Sequence, residues 1–159
     1  MIQKGERMPR PKKNRYVHRP PIYKSFRPID IMPRYLQELD LTLDEYEAIR
    51  LADYEGLGHQ AAAEEMEISR PTFTRLIEQA RKKISIFLVE GRQLNISGGN
   101  VHFRSNIIRC LDCGRTYNAS FSQVFELCPV CGSPNLIDLA GGFGHGRCCR
   151  KHRHKKGNF

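Results

Sequence analysis

The sequence predicts a mainly α-helical domain followed by a small β module, with an extended basic arm before them and a disordered tail after them. Three observations carry this prediction. Apolar residues recur with the helical period between residues 42 and 90, four cysteines form two similar groups between residues 110 and 131, and proline, glycine and basic residues dominate both ends. We divide the chain into residues 1–21 (arm), 22–90 (helical domain), 91–105 (connecting hairpin), 106–140 (cysteine module) and 141–159 (tail).

The arm is defined by its composition. Residues 7–21 contain four prolines and six basic side chains. A segment of this kind cannot bury enough apolar surface to form a core. We therefore expect residues 1–21 to be extended and unpacked.

A first helix is predicted from Thr42 to about Tyr54. Thr42 and Glu45 have the spacing of a capping box, in which each side chain accepts a hydrogen bond from the other residue's backbone N–H. Gly56 follows shortly after and favours the end of the helix there.

Two more helices are predicted, over residues 59–66 and from Ser69 onward. Ala62 and Ala63 are small enough to let the shorter helix cross a partner closely. Ser69 is a typical N-cap, and Pro71 falls in the first turn, where a missing N–H costs little. The apolar stripe of the longer helix comprises Phe73, Leu76, Ile77, Ala80, Ile84, Phe87 and Leu88. This pattern predicts a helix-turn-helix.

A helix-turn-helix indicates DNA binding, because its second helix lies in the major groove with its N-terminal residues against base edges. Arginine can bond to guanine and glutamine to adenine, while hydroxyl groups reach phosphate or base. The candidate contacts are Ser69, Arg70, Thr72, Thr74, Arg75 and Gln79. The alternative is a three-helix bundle whose polar face is only solvated.

A connecting hairpin is predicted within residues 91–105. Gly91 ends the helical period, and residues 94–96 and 101–103 alternate on either side of a Ser-Gly-Gly-Asn turn. Alternating runs around a glycine-rich turn are typical of two strands that pair with each other.

The cysteines form the motif Cys-x-x-Cys-Gly twice, at residues 110–114 and 128–132. Four thiolates at this spacing can close a tetrahedral site around Zn²⁺ that keeps no open position for catalysis. We therefore predict a zinc ribbon; an iron–sulfur or redox dithiol site is the alternative. The predicted ligands of the structural zinc are Cys110, Cys113, Cys128 and Cys131. Residues 118–127, between the pairs, contain no basic side chain, so we expect a structural or protein-docking role.

The tail, residues 141–159, is rich in glycine, histidine and basic side chains, which predicts disorder. Five of its side chains could still capture a metal ion: His145, Cys148, Cys149, His152 and His154. The sequence leaves this second site open.

The charge favours a polyanionic partner, since 26 Lys and Arg face 17 Asp and Glu for a net +9. Residues 1–27 carry +8, residues 28–57 carry −6, residues 58–90 are neutral and residues 91–159 carry +7. Because a neutral helix releases few counterions from DNA, the arms would supply the phosphate contacts. The candidates in the first arm are Arg10, Lys12, Lys13 and Arg15. Such an arm can enter a minor groove; a solubilising tail is the alternative.

The cellular location is predicted from two missing features. The sequence has no apolar run of the roughly 18 residues that a membrane helix needs, and its first residues lack an apolar signal segment. We therefore expect a cytoplasmic protein without a membrane partner, in which the cysteines are reduced.

Several blocks of the sequence together resemble a known family. They are Met-Pro-Arg-Pro at residues 8–11, Leu-Thr-Leu-Asp-Glu-Tyr-Glu-Ala-Ile-Arg-Leu-Ala-Asp at 41–53, Ser-Arg-Pro-Thr-Phe at 69–73, Gly-Gly-Asn at 98–100 and the two cysteine motifs. Over about residues 8–140 the chain is similar to the domain-of-unknown-function 134 family of prokaryotic proteins. These are described as predicted DNA-binding proteins whose helix-turn-helix is similar to region four of sigma factors.

The resemblance implies a helix-turn-helix fold and DNA binding, but no particular target. The residues that it marks for DNA contact are Ser69, Arg70, Thr72, Thr74 and Arg75. The family usually has glycine in the turn where this chain has Glu67. If the turn needs a positive φ there, glutamate adopts it at some cost.

We therefore expect a sequence-specific binder of double-stranded DNA that regulates transcription. The alternative is a sigma-like adaptor that docks on RNA polymerase or another protein through the acidic residues 38–55, without reading DNA itself. An enzyme is not expected, because the sequence has no paired nucleophile and base, open metal site or phosphate loop. The oligomeric state is left open, with a homodimer as one option.

Overall fold

The computed structural model describes residues 13–152, which form five α-helices and eight short strands. The strands are β1 (Arg15–Val17), β2 (Ser25–Phe26), β3 (Glu38–Leu41), β4 (Gln93–Ile96), β5 (Val101–Phe103), β6 (Asn106–Cys110), β7 (Thr116–Ala119) and β8 (Leu136–Asp138). The helices are α1 (Leu43–Ile49), α2 (His59–Met66), α3 (Arg70–Glu90), α4 (Leu139–Gly142) and α5 (Arg147–His152). A 3₁₀ turn occupies Pro33–Tyr35.

The first helix begins and ends where its caps predict. The carboxylate of Glu45 accepts a hydrogen bond from the Thr42 backbone N–H at 2.9 Å, as the capping box requires. After α1 the chain continues in a π-helical turn, Arg50–Tyr54, which the sequence did not indicate. The predicted extent of the helix is confirmed, and its last turn is wider than an α-helix.

Helices α2 and α3 pack on α1 around one apolar cluster. Ala62, Ala63 and Met66 of α2 are buried against the first half of α3, with Ala48 and Leu51 completing the cluster. Ser69 caps α3 as predicted, because its hydroxyl accepts a hydrogen bond from the Thr72 backbone N–H at 3.3 Å. The small residues of α2 therefore lie where they allow close helix contact.

The apolar stripe of α3 is confirmed except at its end. Phe73, Leu76, Ile77 and Ala80 are buried, and Ile84 and Phe87 pack against the neighbouring core. Leu88 is 70% exposed, so its predicted burial is wrong. Leu88 directly follows Phe87, so its side chain points about a quarter turn further round the helix, away from the core that Phe87 contacts.

The predicted hairpin between β4 and β5 is wrong. Strand β4 pairs in parallel with β3 and antiparallel with β2, whereas β5 pairs in parallel with β1. The turn between β4 and β5 is held instead by α1, because the Leu43 backbone N–H donates to the Gly98 carbonyl at 3.1 Å. Each strand therefore leaves this turn toward a partner supplied by the N-terminal part of the chain.

The N-terminal arm packs on the fold from β1 onward, so the prediction of an unpacked arm is wrong for residues 15–21. Val17, Pro20 and Pro21 are fully buried, and Val17 belongs to the main apolar core with Phe103. Residues 15–17 are extended, as predicted, but as a paired strand. The part of the arm in residues 1–12 lies outside the described residues.

The last two strands close a three-stranded antiparallel sheet in the order β7-β6-β8. After it, α4 and α5 fold back on the core, where Ala140 and Cys149 are buried. The predicted disorder of the tail is therefore wrong for residues 141–152, and residues 153–159 lie outside the described part. Among the described helices, none has the length and apolar character that a membrane crossing requires.

Candidate nucleic-acid interface and metal centre

The turn between α2 and α3 has a left-handed residue at its centre. Glu67 has φ 55° and ψ 42°, and it is the one non-glycine residue with positive φ in residues 13–152. Its backbone N–H donates to the Glu64 carbonyl at 3.1 Å, and the next N–H, of Ile68, donates to Ala63 at 3.0 Å. The chain therefore reverses within three residues and restarts as α3 at the Ser69 cap.

Arg104 braces this turn from outside the helical domain. Its guanidinium lies 3.1 Å from the Glu65 carboxylate and 3.5 Å from that of Glu67, and it stacks over the Tyr16 ring at 5.3 Å. These interactions link the turn to the β1–β5 pair. Sequence reasoning missed Arg104, because nothing local to residue 104 indicates which turn it reaches.

The candidate DNA contacts on α3 fall into two groups. The hydroxyls of Ser69 and Thr72 bond to each other at 2.7 Å, and the Thr74 hydroxyl lies 2.9 Å from Nδ1 of His59 on α2. These side chains hold the start of α3 in place. The second group is Arg70, Arg75 and Gln79, which are exposed and make no hydrogen bond or ion pair within residues 13–152.

The basic candidates of the arm are likewise divided. Lys13 is exposed, whereas Arg15 is half-buried and ion-paired with Asp44. Arg10 and Lys12 precede the described residues. Arg15 is therefore not an exposed, unpaired cation that could contact DNA beside α3.

Most carboxylates of the acidic segment 38–55 are paired with basic residues of the same chain. Glu45 is bound by Lys83 of α3 at 2.7 Å, and Asp53 by Arg81 at 2.7 Å. Glu47 accepts two hydrogen bonds from Arg50, each of 2.8 Å, and a third from the His18 backbone N–H. Five of its seven carboxylates, those of Asp44, Glu45, Glu47, Asp53 and Glu55, are therefore held in ion pairs.

The four predicted zinc ligands come together in the module of residues 106–138, called here the four-cysteine module. Sγ of Cys110 lies 3.6 Å from Sγ of Cys131, and Sγ of Cys113 lies 3.7 Å from Sγ of Cys128. In each Cys-x-x-Cys-Gly loop, called here a knuckle, the chain turns at the glycine, with φ 73° at Gly114 and 72° at Gly132. A metal ion bound tetrahedrally by thiolates has sulfur–sulfur edges of about 3.8 Å. The cluster could therefore hold a metal ion.

Tyr117 acts on this cluster from β7. Its hydroxyl lies 3.0 Å from Sγ of Cys128, and donation to the thiolate lowers the pKa of Cys128 to about 6. The same bond raises the pKa of Tyr117 to about 12. Sequence reasoning gave Tyr117 no role; the alternation along β7, which points this side chain at the cysteines, was the available signal.

The described structure defines a small protein of helices and short sheets, with two clusters of cysteine or of cysteine and histidine that could hold metal ions. The chain belongs to the family described as "Protein of unknown function DUF134", whose model matches residues 5–104. The resemblance seen in the sequence is thus confirmed. The matched part ends where the four-cysteine module begins.

Relatives extend the similarity into that module. The chain is 48% identical over 147 residues to a UPF0251 protein of Chloroherpeton thalassium, covering 91% of this chain and 97% of the relative. A UPF0251 protein of Clostridium novyi is 42% identical over 130 residues, which cover 82% of this chain and 88% of the relative. A UPF0251 protein of Chlorobaculum tepidum is 41% identical over 145 residues, which cover 88% of this chain and 74% of the relative. No solved structure matches the chain.

Proposed function

We propose that this chain is a sequence-specific DNA-binding protein that regulates transcription. In this proposal α2 and α3 form a helix-turn-helix, and the first turns of α3 enter the major groove of double-stranded DNA. The observation that carries it is the exposed, unpaired set of Arg70, Arg75 and Gln79 at the start of a helix whose opposite face is anchored in the core.

The geometry before α3 supports this function. Helix α2 has eight residues, the turn has three, and α3 starts at a capped serine. The contact of Thr74 with His59 and the ion pairs of Arg104 with the turn hold α2 and α3 in one arrangement. They leave the side chains of Arg70 and Arg75 free to bind. A helix that contacts bases needs such support, because its side chains must be positioned to within a fraction of an ångström of the binding geometry.

Three arginines that contact the helical domain provide a contrast. Arg50, Arg81 and Arg104 each have a carboxylate partner within the fold. Arg70 and Arg75 have none in the described part of the chain, although Glu78 lies on the same helix. An exposed arginine with free donors is suited to bidentate contact with guanine or to a phosphate.

We propose further that the four-cysteine module holds one structural Zn²⁺ as a zinc ribbon. Its sulfur–sulfur distances and its four-thiolate ligand set fit a closed tetrahedral site. Zinc would fix the two knuckles and so stabilise β6, β7 and β8, whose sheet is too small to bury much apolar surface. No reaction is assigned to this site.

The adaptor alternative is supported less well. It requires the acidic segment 38–55 as a docking face for RNA polymerase, yet Asp44, Glu45 and Glu47 are buried. Their charges, and that of Asp53, are bound by basic residues of the same chain. A face with its charges already paired attracts a basic partner weakly.

The test is selection of genomic duplex fragments on the full-length protein, followed by affinity measurement on the recovered sequence. We expect a preferred sequence bound at least about 10³-fold more tightly than unrelated duplex at the same salt concentration. Retention of RNA polymerase without enrichment of any duplex would favour the adaptor. Equal affinity for all duplexes would contradict specific reading.

A further inference from the structure

We propose that His102, His145, Cys148 and Cys149 form a second zinc site, which fastens the C-terminal helices to β5. The residues come from three places in the fold. His102 is the central residue of β5, His145 lies in the turn between α4 and α5, and the two cysteines lie in α5. We call them the C-terminal Cys/His cluster.

The distances in this cluster match a tetrahedral metal site. Nδ1 of His145 is 3.3 Å from Sγ of Cys148 and 3.7 Å from Sγ of Cys149. The two sulfurs are 3.8 Å apart, and Nδ1 of His102 is 3.8 Å from Sγ of Cys149. Zinc with bonds of about 2.3 Å to sulfur and 2.05 Å to nitrogen has edges of about 3.8 Å between sulfurs and 3.6 Å between sulfur and nitrogen.

Neighbouring groups orient the ligands. Nε2 of His102, which points away from the cluster, lies 3.0 Å from the side-chain amide of Asn14. The Phe103 backbone N–H donates to Sγ of Cys149 at 3.2 Å. A hydrogen bond to the second ring nitrogen of a histidine, and an amide donor to a thiolate, are common supports of metal ligands.

The backbone of the tail is shaped to bring its ligands to β5. Gly144 and Gly146, on either side of His145, have φ 77° and 131°, in the region that favours glycine. The chain can therefore turn back within three residues so that His145 and α5 face the same strand. The ring of Phe103 packs edge-on to His145, with centroids 5.1 Å apart.

Apolar packing alone does not account for this arrangement. Cys149 is buried in the main core, but His102, His145 and Cys148 are only half-buried. Three partly hydrated polar side chains nevertheless converge on one buried sulfur. Two thiolates and two neutral imidazoles are a ligand set of structural zinc sites.

The consequence is a metal clasp between the two ends of the described chain. Strand β5 pairs with β1, and α5 packs on β5, so the site lies where the N-terminal and C-terminal segments meet. Since Cys₂His₂ sites supply folding free energy, zinc would hold α4 and α5 on the core. Sequence reasoning included three of these ligands but missed His102, whose alternation with Val101 and Phe103 was the available signal.

The test is metal analysis of the full chain and of two variants at half-buried ligands, His145→Gln and Cys148→Ser. The unaltered protein should bind about two zinc ions per chain, one at each cluster, and each variant about one. His18→Gln, which removes an exposed histidine outside the cluster, is the matched control and should keep about two. Cobalt substitution adds a spectroscopic check, because the variants should retain only the absorption of a four-thiolate site.

A second measurement separates loss of metal from general unfolding. In both variants trypsin should cleave after Arg147 and Arg150 roughly tenfold faster than in the unaltered protein, while cleavage within α3 stays unchanged. Two results would overturn the site: about one zinc in the unaltered chain with no further loss in His145→Gln, or undiminished zinc in both variants. Neither result depends on whether the chain binds DNA.

Discussion

Glu67 is where side chain and backbone conflict most clearly in the described chain. Its left-handed conformation costs an L-residue about 1–2 kcal/mol, and glycine adopts it without that cost. Glu67→Gly should therefore raise the free energy of unfolding by about 1 kcal/mol relative to Glu67→Ala. Neither variant can form the ion pair with Arg104, so the comparison isolates the backbone. Chemical denaturation measures it, and an alanine variant as stable as the glycine variant would contradict the argument.

The contribution of an ion pair to the free energy of unfolding should depend on how deeply the pair is buried. Glu47 has a side chain only 3% exposed and depends on Arg50, whereas the pair of Arg81 and Asp53 is 50% and 39% exposed. Arg50→Met leaves a buried carboxylate without its main partner and should cost about 3–5 kcal/mol. Arg81→Met, the matched control, should cost less than about 1 kcal/mol. Equal costs would show that Glu47 finds another partner.

At the scale of single elements, local signals predicted the helices well. The Thr42 cap, the Ser69 cap and the buried face from Phe73 to Ala80 are all confirmed, because each depends on residues within a few positions of one another. The knuckle glycines of the four-cysteine module follow the same rule. The π-helical turn after Ile49 was not predictable in this way, since its last residues are held by Arg81 and by packing on α2.

Loss of the metal from the four-cysteine module should loosen that module and leave the first half of α3 unaffected. Chelation, or Cys113→Ser, should speed amide hydrogen exchange in β6 and β7 by about 100-fold or more, while the first half of α3 keeps its protection. The reason is that the four-cysteine module has little core of its own, whereas α3 is anchored by Phe73, Leu76 and Ile77. Mass spectrometry of exchange resolves the two regions. Unchanged exchange in β6 after complete loss of metal would contradict a structural role.

At the scale of the whole molecule, the partners of each strand were not predictable. Strand β1 pairs with β5, and β3 with β4, and helices α1, α2 and α3 lie between the two strands of each pair in the sequence. Strands β1 and β3 are only three and four residues long, and β1 lies among basic residues and prolines, so no local pattern predicted their burial. For the same reason the charge count misled, because the carboxylates of α1 pair with Arg15 and Lys83 from distant segments. The candidate contacts on α3 could be named from the sequence because they all lie on or directly before one helix.

The N-terminal arm should supply salt-dependent affinity. Replacing Arg10, Lys12 and Lys13 with glutamine should flatten the slope of log affinity against log salt by up to about 2.7, because each neutralised phosphate contributes about 0.9 to that slope. The ranking of DNA sequences should stay the same. These substitutions are preferable to deleting residues 1–19, which would remove β1 and the buried Val17.

The matched control for the arm replaces three exposed arginines elsewhere, Arg27, Arg34 and Arg115, with glutamine. It removes the same charge and should flatten the slope far less. An unchanged slope in the arm variant would mean that the arm does not touch DNA. A kept slope with a changed sequence ranking would instead make the arm a reader of the minor groove.

The most direct test of the central claim is base preference, position by position, for Arg70→Ala and Arg75→Ala on the selected duplex. Each change should cost about 1–3 kcal/mol and relax the preference at one position, because a base contact carries sequence information. Arg115→Ala, which removes an exposed arginine from the four-cysteine module, should leave the preference profile unchanged. If Arg70→Ala and Arg75→Ala keep the full profile, and affinity falls equally for all sequences or does not fall, the first turns of α3 do not read DNA.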